Sequence, residues 1–325
     1  MLRLPKFDYV APPDLAGVLG VLSDRGEGAR VIAGGTDLVP NLKRRQFEAA
    51  VLVSLHRVDS LRGVHGTHGS GLVIGALTPL DVIANHPHVQ EHFRALSEAA
   101  GLVATPAIRT RATLAGNLLA DTRCNYYDQT EPWRESLGWC MKAQGTICRV
   151  APSSPRCLAV SSCDTAPALI ALDARARLAS PTGVREIALR ELYRDDGIHY
   201  LDMARDEVLT EIALPPLGPT RSTYLKLRRR GSFDFPVLGV AARVSRAADG
   251  AVADARVVLT GIASRPVEIP EAAKLVGALP SDDAIAEVAR AAEQRAKPLD
   301  NTDLTIVYRK RMARVYVARA LRRCL

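Results

Sequence analysis

The order of apolar and polar residues divides the first half of the chain into short strands and helices. Phe7, Tyr9 and Val10 predict a first strand, and Asp14 predicts the N-cap of a helix that continues through Leu22. Further elements follow in order: strands at 30–32, 51–55 and 73–75, a hairpin over 61–72, a helix at 80–84 capped by Thr78, and a helix over 92–101.

The second half begins with alternating segments at 177–178, 184–187 and 208–214, which predict an antiparallel sheet. The segment Pro215–Pro219 is typical of a linker. Beyond it, strands are predicted at 224–227, 238–244 and 255–260, and helices at 271–276, 282–295 and 305–321. We therefore predict a first domain over 1–215 and a second over 216–325.

Two glycine-bearing turns are candidates for ligand contact. The first follows the strand at 30–32 and consists of Ala33, Gly34, Gly35, Thr36, Asp37 and Leu38. Paired glycines let the backbone approach an anion, and free N–H groups of the next turn can bind it. A plain Gly-Gly turn followed by a helix cap explains the same residues, so both interpretations stay open.

The second turn, Thr113-Leu114-Ala115-Gly116-Asn117, is the start of an interrupted motif. A helix start at Ser161, Asp164 and Pro167 continues it after an insert at about 119–160. The insert contains four of the six cysteines: Cys124, Cys140, Cys148 and Cys157.

The cysteine spacing alone allows an iron–sulfur cluster, a zinc site or free thiols. The compact C-x-x-C spacings of many clusters and zinc sites are absent from the sequence. Two disulfides are disfavoured in a reducing compartment. We expect Cys163 to be a buried packing residue, Cys324 an exposed thiol, and Trp133 and Trp139 to pack over the insert.

Composition and charge narrow the classes of function. The chain has 325 residues, 47% hydrophobic and 24% charged, with net charge +8. No membrane span, nucleic-acid-binding motif or secretory leader is recognised, so we expect a cytoplasmic protein with no membrane and no nucleic acid partner. The histidines at 65, 68, 86, 88 and 92 are interpreted as surface residues. The terminal cations fit either a solvated helix or a docking face for an acidic partner; they are Arg309, Lys310, Arg311, Arg314, Arg319, Arg322 and Arg323.

The segments GGTDL at 34–38 and TLAGN at 113–117, followed by Asp164 in SSCDTAPAL, resemble one family in order and context. This family comprises the FAD-binding medium subunits of the molybdenum hydroxylases, of the xanthine dehydrogenase and carbon monoxide dehydrogenase types. The resemblance implies an α+β fold. A PCMH-type FAD-binding domain of two α/β subdomains precedes a small domain whose antiparallel sheet is packed by helices.

The resemblance also implies roles for individual residues. Residues 33–38 and 113–117 would contact the FAD pyrophosphate, and Asp164 the ribityl or ribose region. Lys226 matches a lysine close to the flavin, where a cation would stabilise a reduced anionic flavin. A surface strand lysine remains the alternative for Lys226.

The insert is similar to that of the 4-hydroxybenzoyl-CoA reductase branch, whose loop carries a [4Fe-4S] cluster. By this resemblance Cys124, Cys140, Cys148 and Cys157 are the metal ligands. The expected function is electron transfer from reduced ferredoxin towards a [2Fe-2S] small subunit and a molybdopterin-containing large subunit, in a dimer of heterotrimers. Substrate chemistry would lie on the large subunit, so no catalytic residue is expected here. Alternatives are a FAD subunit working in the oxidative direction and a zinc-stapled scaffold without flavin.

Overall fold

The computed structural model describes residues 2–325, which form three sheets. The first is a three-stranded parallel sheet in the order β1-β3-β2, with β3 fully buried. Its elements are β1 (Asp8–Val10), α1 (Leu15–Arg25), β2 (Ala29–Ile32), α2 (Leu38–Lys43) and β3 (Val51–Ser54). The predicted cap of α1 is confirmed, because the Asp14 carboxylate accepts a hydrogen bond from the Gly17 N–H at 2.8 Å.

The second sheet has five antiparallel strands in the order β4-β5-β8-β6-β7. Its strands are β4 (Val64–Thr67), β5 (Gly71–Gly75), β6 (Arg175–Ser180), β7 (Gly183–Ala188) and β8 (Val208–Leu214). The helices between β5 and β6 are α3 (Leu80–Asn85), α4 (Pro87–His92), α5 (Arg94–Leu102), α6 (Pro106–Arg109), α7 (Leu114–Leu118), α8 (Glu131–Ser136) and α9 (Thr165–Ala171).

Two helix predictions in this region are corrected. The hydroxyl of Thr78 does not cap α3; it accepts from the Gly63 N–H and donates to the Gly63 carbonyl, both at 3.0 Å. Pro79 therefore occupies the cap position. The helix predicted over 92–101 is α5, which begins two residues later at Arg94, because the chain changes direction at Phe93 and His92 ends the separate helix α4.

The third sheet is the four-stranded antiparallel sheet β12-β11-β10-β9, packed by helices as predicted. Its elements are β9 (Thr220–Leu227), β10 (Leu238–Arg246), β11 (Val252–Thr260), β12 (Val267–Glu268), α10 (Asp282–Arg295) and α11 (Ile306–Cys324). A 3-10 helix over Pro270–Leu275 replaces the helix expected at 271–276.

Two predictions about α11 are wrong. Arg309 is fully buried rather than solvated, and its guanidinium donates to the carbonyls of Val237, Leu299 and Gly261. Cys324 is also buried, with its thiol facing the Ala242 carbonyl at 3.6 Å. Both side chains lie on the face of α11 that packs on the sheet, so local charge patterning concealed their burial.

The third sheet shares a core with the five-stranded sheet and its helices. Tyr224, Ala241 and Val258 belong to the same apolar cluster as the residues of α5 and α9. The Glu98 carboxylate of α5 adds polar contacts, accepting from the Thr223 hydroxyl at 2.7 Å and the Tyr224 N–H at 2.8 Å. Among residues 2–325, no helix is both long enough and apolar enough to cross a membrane.

Candidate functional site

The two glycine-bearing turns lie on one cavity of about 610 Å³. All six residues of the first turn, 33–38, line it, and so do Thr113, Ala115 and Gly116 of the second. Leu114 and Asn117 do not. The volume is within the range of cofactor-binding pockets.

The first turn presents free backbone donors. Across the described residues 2–325, none of the N–H groups of Gly34, Gly35, Thr36, Asp37 and Leu38 donates a hydrogen bond to another protein group. Gly35, Asp37 and Leu38 are partly buried, and N–H groups at such positions normally have partners. Successive N–H groups of this kind form an anion-binding concavity.

Gly34 is required here because of a close backbone contact. A Cβ atom at this position would lie 1.9 Å from the Arg111 carbonyl oxygen, and that oxygen belongs to backbone that cannot move aside easily. Gly35 has φ +71°, a left-handed conformation that glycine adopts without strain. The two glycines thus allow the segment before the second turn to approach the first turn.

The second turn is more regular than the tight glycine turn expected from the sequence. It is the short helix α7, and its cap is Thr113, whose hydroxyl accepts from the Gly116 N–H at 3.2 Å. The Leu114 and Ala115 N–H groups donate to Thr78 and Ala76, and the Asn117 N–H to Thr113. These donors are already used, so the first turn carries the free N–H groups of the cavity.

Asn117 joins the second turn to the motif beyond the insert. Its side-chain oxygen accepts from the Thr165 N–H at 3.2 Å, the Thr165 hydroxyl at 2.7 Å and the Cys163 thiol at 3.1 Å. Cys163 is buried, as predicted. The two ends of the interrupted motif are therefore in direct contact.

Asp164 and Lys226 form a buried ion pair rather than part of the cavity wall. The Lys226 ammonium lies 2.8 Å from one Asp164 carboxylate oxygen, and the Tyr224 hydroxyl donates to the other at 2.7 Å. Burial raises the pKa of Asp164, and the neighbouring Lys226 charge opposes this shift. Burial lowers the pKa of Lys226, and Asp164 opposes that shift in turn. Each charge thus compensates the burial of the other.

The insert leaves the domain through a narrow neck. Arg123 and Val160 form an isolated antiparallel bridge, with N–H to carbonyl distances of 2.8 and 2.7 Å. Beyond this bridge all four cysteines of the insert are buried and free. Cys124, Cys140 and Cys157 pack with Tyr127 in one cluster. The insert thus has a small core of its own.

Burial keeps at least two of these thiols protonated. It raises the pKa of Cys124 to about 12, and the nearby Cys140 and Cys157 thiols add to the shift. It also raises the pKa of Cys157 to about 11, although the Lys142 cation acts in the opposite direction. Thiolates at these positions therefore need a bound cation.

Beyond the Arg123–Val160 bridge, two side chains of the insert line the cavity, and neither was recognised from the sequence. They are Tyr127 and Lys142. The Lys142 ammonium pairs with Asp121 at 2.5 Å, contacts the Gly197 carbonyl at 2.7 Å and lies 4.9 Å from the Tyr127 ring centroid. Burial raises the pKa of Asp121, and Lys142 opposes the shift. Lys142 thus lies close to both the cavity and the thiols.

Arginine side chains hold the insert against the first subdomain, which is the part of the chain that forms the three-stranded sheet with α1 and α2. Arg123 pairs with Asp37 of the first glycine-bearing turn. Arg134, which is buried, donates to the carbonyls of Arg44 at 2.6 Å and Arg45 at 3.0 Å. Its guanidinium also lies 5.5 Å from the Trp139 ring centroid, whereas Trp133 is 38% exposed and packs less than predicted.

Comparison with known proteins identifies the class to which this fold and cavity belong. Residues 5–217 match the family described as the FAD binding domain in molybdopterin dehydrogenase, and residues 222–324 match the carbon monoxide dehydrogenase flavoprotein C-terminal domain. The chain therefore belongs to the FAD-binding medium subunits of the xanthine dehydrogenase and carbon monoxide dehydrogenase type of molybdenum hydroxylases. Its predicted α+β fold is confirmed.

Individual relatives agree with this assignment. The chain is 32% identical over 259 residues to the aldehyde oxidoreductase FAD-binding subunit PaoB of Escherichia coli (strain K12), spanning 77% of this chain and 80% of PaoB. It is 27% identical over 320 residues to the carbon monoxide dehydrogenase medium chain of Hydrogenophaga pseudoflava, spanning 98% and 96% of the two chains.

A solved structure extends the likeness to three dimensions. It is the Hydrogenophaga pseudoflava carbon monoxide dehydrogenase that lacks the Mo-pyranopterin moiety of its molybdenum cofactor. The TM-score is 0.81 at 27% identity, covering 99% of this chain and 98% of that chain.

Proposed function

We propose that the cavity binds FAD with its pyrophosphate against the first glycine-bearing turn. The free N–H groups of residues 34–38 carry this proposal, because a diphosphate supplies the acceptors they lack. The buried side-chain oxygen of Gln46, another cavity residue, also has no partner within the described chain. Asp164 and Lys226 do not line the cavity. We propose that they affect FAD binding indirectly, by supporting α7 through Thr165 and Asn117.

We further propose that Cys124, Cys140, Cys148 and Cys157 bind a [4Fe-4S] cluster. Four buried free thiols are a suitable ligand set, since the cluster supplies the positive charge that stabilises their thiolates. Within residues 2–325, no three of their sulfur atoms lie within 4.8 Å of one another. Zinc at about 2.3 Å from each sulfur requires roughly 3.8 Å between them. The sulfur atoms are thus not preassembled for zinc, and the resemblance of the insert to a cluster-bearing loop carries the choice of the larger group.

The proposed function is electron transfer. A flavin exchanges one or two electrons and a [4Fe-4S] cluster exchanges one, so together they can connect a one-electron donor with a two-electron reaction. In this electron transfer, the protein chain itself holds the two redox sites close to each other. Tyr127 and Lys142 belong to the insert and also line the cavity, which keeps the thiols and the FAD site close together. Lys142 supplies a buried positive charge between them.

In the proposed assembly, this subunit exchanges electrons with a [2Fe-2S] small subunit and a molybdopterin-containing large subunit in the cytoplasm. One candidate reaction is reductive dehydroxylation of 4-hydroxybenzoyl-CoA to benzoyl-CoA, with reduced ferredoxin as donor. The cysteine-bearing insert, which resembles that of this branch, favours it.

A second candidate is oxidation of an aldehyde, with electrons flowing out through this subunit. The 32% identity to an aldehyde oxidoreductase FAD-binding subunit favours it. The purified complex distinguishes the two. Turnover of 4-hydroxybenzoyl-CoA with reduced ferredoxin supports the first, and turnover of aldehydes with an artificial acceptor supports the second.

The cluster is tested by Cys140→Ser in the complex purified without oxygen. We expect the wild type to contain about four iron atoms more per trimer than its [2Fe-2S] subunit requires. We expect Cys140→Ser to lose or convert the cluster's EPR signal and to retain FAD. Cys324→Ser, a buried cysteine on α11, is the control and should change neither.

Unchanged iron in Cys140→Ser would contradict the ligand assignment. Zinc in place of iron in the wild type would favour a stapled scaffold. Absence of flavin from the wild type would contradict the cavity assignment independently of the metal.

A further inference from the structure

Three histidines from two segments converge on the surface of the FAD-binding domain. His68 lies in the turn between β4 and β5, and His88 and His92 lie one turn apart on α4. One ring nitrogen from each lies within 4.8 Å of the others. The His68 and His92 ring centroids are 3.8 Å apart, and those of His88 and His92 are 4.5 Å apart.

The spacing of the three ring nitrogens is close to that of a metal site, but the His68 and His92 rings are stacked with 23° between their planes, so the rings must rotate for their lone pairs to converge. Two histidines at i and i+4 share one face of a helix. Metal–nitrogen bonds of about 2.0–2.1 Å would bring the three nitrogens to roughly 3.3 Å from one another. Side-chain rotations can supply the difference, since His88 and His92 are only partly buried.

The contacts around the three rings suit a cation. The Glu91 carboxylate lies 3.6 Å from the Nε2 atom of His92 and adds negative charge. The Nε2 atom of His88 accepts from the His68 backbone N–H at 2.7 Å, so its lone pair is engaged by the turn that carries His68. On metal binding, this lone pair would turn from the amide to the ion.

We propose that His68, His88 and His92 bind one divalent transition-metal ion of the zinc type, with water at the remaining position. Three imidazoles suit Zn²⁺ and its neighbours better than Mg²⁺ or Ca²⁺, which prefer oxygen ligands. None of the three lines the cavity, and none is near the cysteine insert in the sequence. The site is therefore separate from the proposed electron-transfer function.

The role that the geometry supports is structural. The ion would join the β4–β5 turn to α4. The carbonyl of His68 also accepts from the Leu217 N–H at 2.7 Å, in the linker between the two domains. A metal bound to His68 would thus stabilise the point at which the linker leaves the first domain. We expect bound metal to raise the unfolding temperature.

The test uses the untagged, flavin-loaded full-length chain. Equilibrium dialysis against micromolar Zn²⁺ followed by metal analysis should give one zinc more per wild-type chain than per His88→Asn or His68→Asn chain. His65→Asn, an exposed histidine of β4, is the matched control and should bind like the wild type. The affinity of His88→Asn should fall by about 100-fold or more.

X-ray absorption at the zinc edge separates this site from the cysteines. The added zinc should show a nitrogen and oxygen shell near about 2.0 Å, without the sulfur shell near about 2.3 Å that thiolates give. A sulfur shell on that zinc, or equal binding by His88→Asn and the wild type, would overturn the proposal. Without zinc, the variants should unfold at the same temperature as the zinc-free wild type, which confirms that they fold.

Discussion

At the scale of single residues, Asp164 combines two roles that are difficult to separate. Its carboxylate neutralises Lys226 and accepts from Tyr224 in a fully buried setting. Its neighbour Thr165 binds Asn117, next to the cavity. An effect of Asp164 on flavin binding could therefore come from direct contact or from the support of α7.

We predict that Asp164→Asn lowers the free energy of unfolding by about 3 kcal/mol, because it leaves the Lys226 ammonium buried without its partner. We also expect increased loss of flavin on gel filtration. Thermal unfolding and the ratio of flavin to protein absorbance measure the two effects. Full retention of flavin would remove Asp164 from the cofactor site.

The double variant Asp164→Asn with Lys226→Met separates the two roles. Removal of both charges should recover most of the stability, since no unpaired charge remains. If flavin is recovered as well, the pair acts through the fold alone. If flavin is still lost from a stable protein, at least one of the two side chains contacts the cofactor.

At the scale of elements, the insert depends on a few cationic anchors. Arg134 on α8 contacts two carbonyls of the segment after α2, and the rings of Tyr127 and Trp139 flank its guanidinium. This side chain connects the insert to the first subdomain. The rest of the domain has its own apolar clusters and does not need it.

We predict that Arg134→Met increases chymotryptic cleavage within 119–160 several-fold, because the docked conformation of the insert loses its hydrogen bonds to Arg44 and Arg45. The unfolding temperature of the body should change little. Mass spectrometry of the early fragments locates the cuts. Glu135→Gln, an exposed neighbour on α8, is the control, and equal cleavage of both variants would contradict the anchoring role.

Much of the element order could be predicted from the sequence, because it depends on local patterns. The Asp14 cap, the buried strand β3 and α10 follow from cap chemistry and periodicity. Thr78, Arg309 and Cys324 were misassigned because each contacts a residue distant in the sequence. Local periodicity carries no information about such contacts.

The candidate site was only partly predictable for the same reason. The glycine-bearing turns were recognisable because paired glycines after a strand indicate an unusual backbone. Tyr127 and Lys142 belong to a segment without regular periodicity, and only the folded insert brings them to the cavity. His68 likewise meets His88 and His92 only because the β4–β5 turn lies beside α4.

At the scale of the whole molecule, the two domains share one apolar core. The third sheet contributes Tyr224, Ala241 and Val258 to the core around α5 and α9. Arg309 stabilises that sheet from behind, joining the segments at Val237, Gly261 and Leu299 to α11. Burial lowers its pKa to about 10, which still leaves it charged at neutral pH.

We predict that Arg309→Met lowers the free energy of unfolding by about 3 kcal/mol, because three carbonyls lose a charged donor. Calorimetry should show one transition at a lower temperature, since the shared core couples the domains. The exposed neighbour Arg311→Met should have almost no effect. A new, separate transition in Arg309→Met would contradict this coupling.

The neck between Arg123 and Val160 has an evolutionary consequence. The chain enters and leaves the insert at this one point. The residues that precede and follow the insert are already in contact, through Asn117 and Thr165. An ancestral gene could therefore acquire or discard the whole cysteine-bearing segment without rethreading any sheet. The same flavoprotein frame could then serve lineages with and without an additional metal centre.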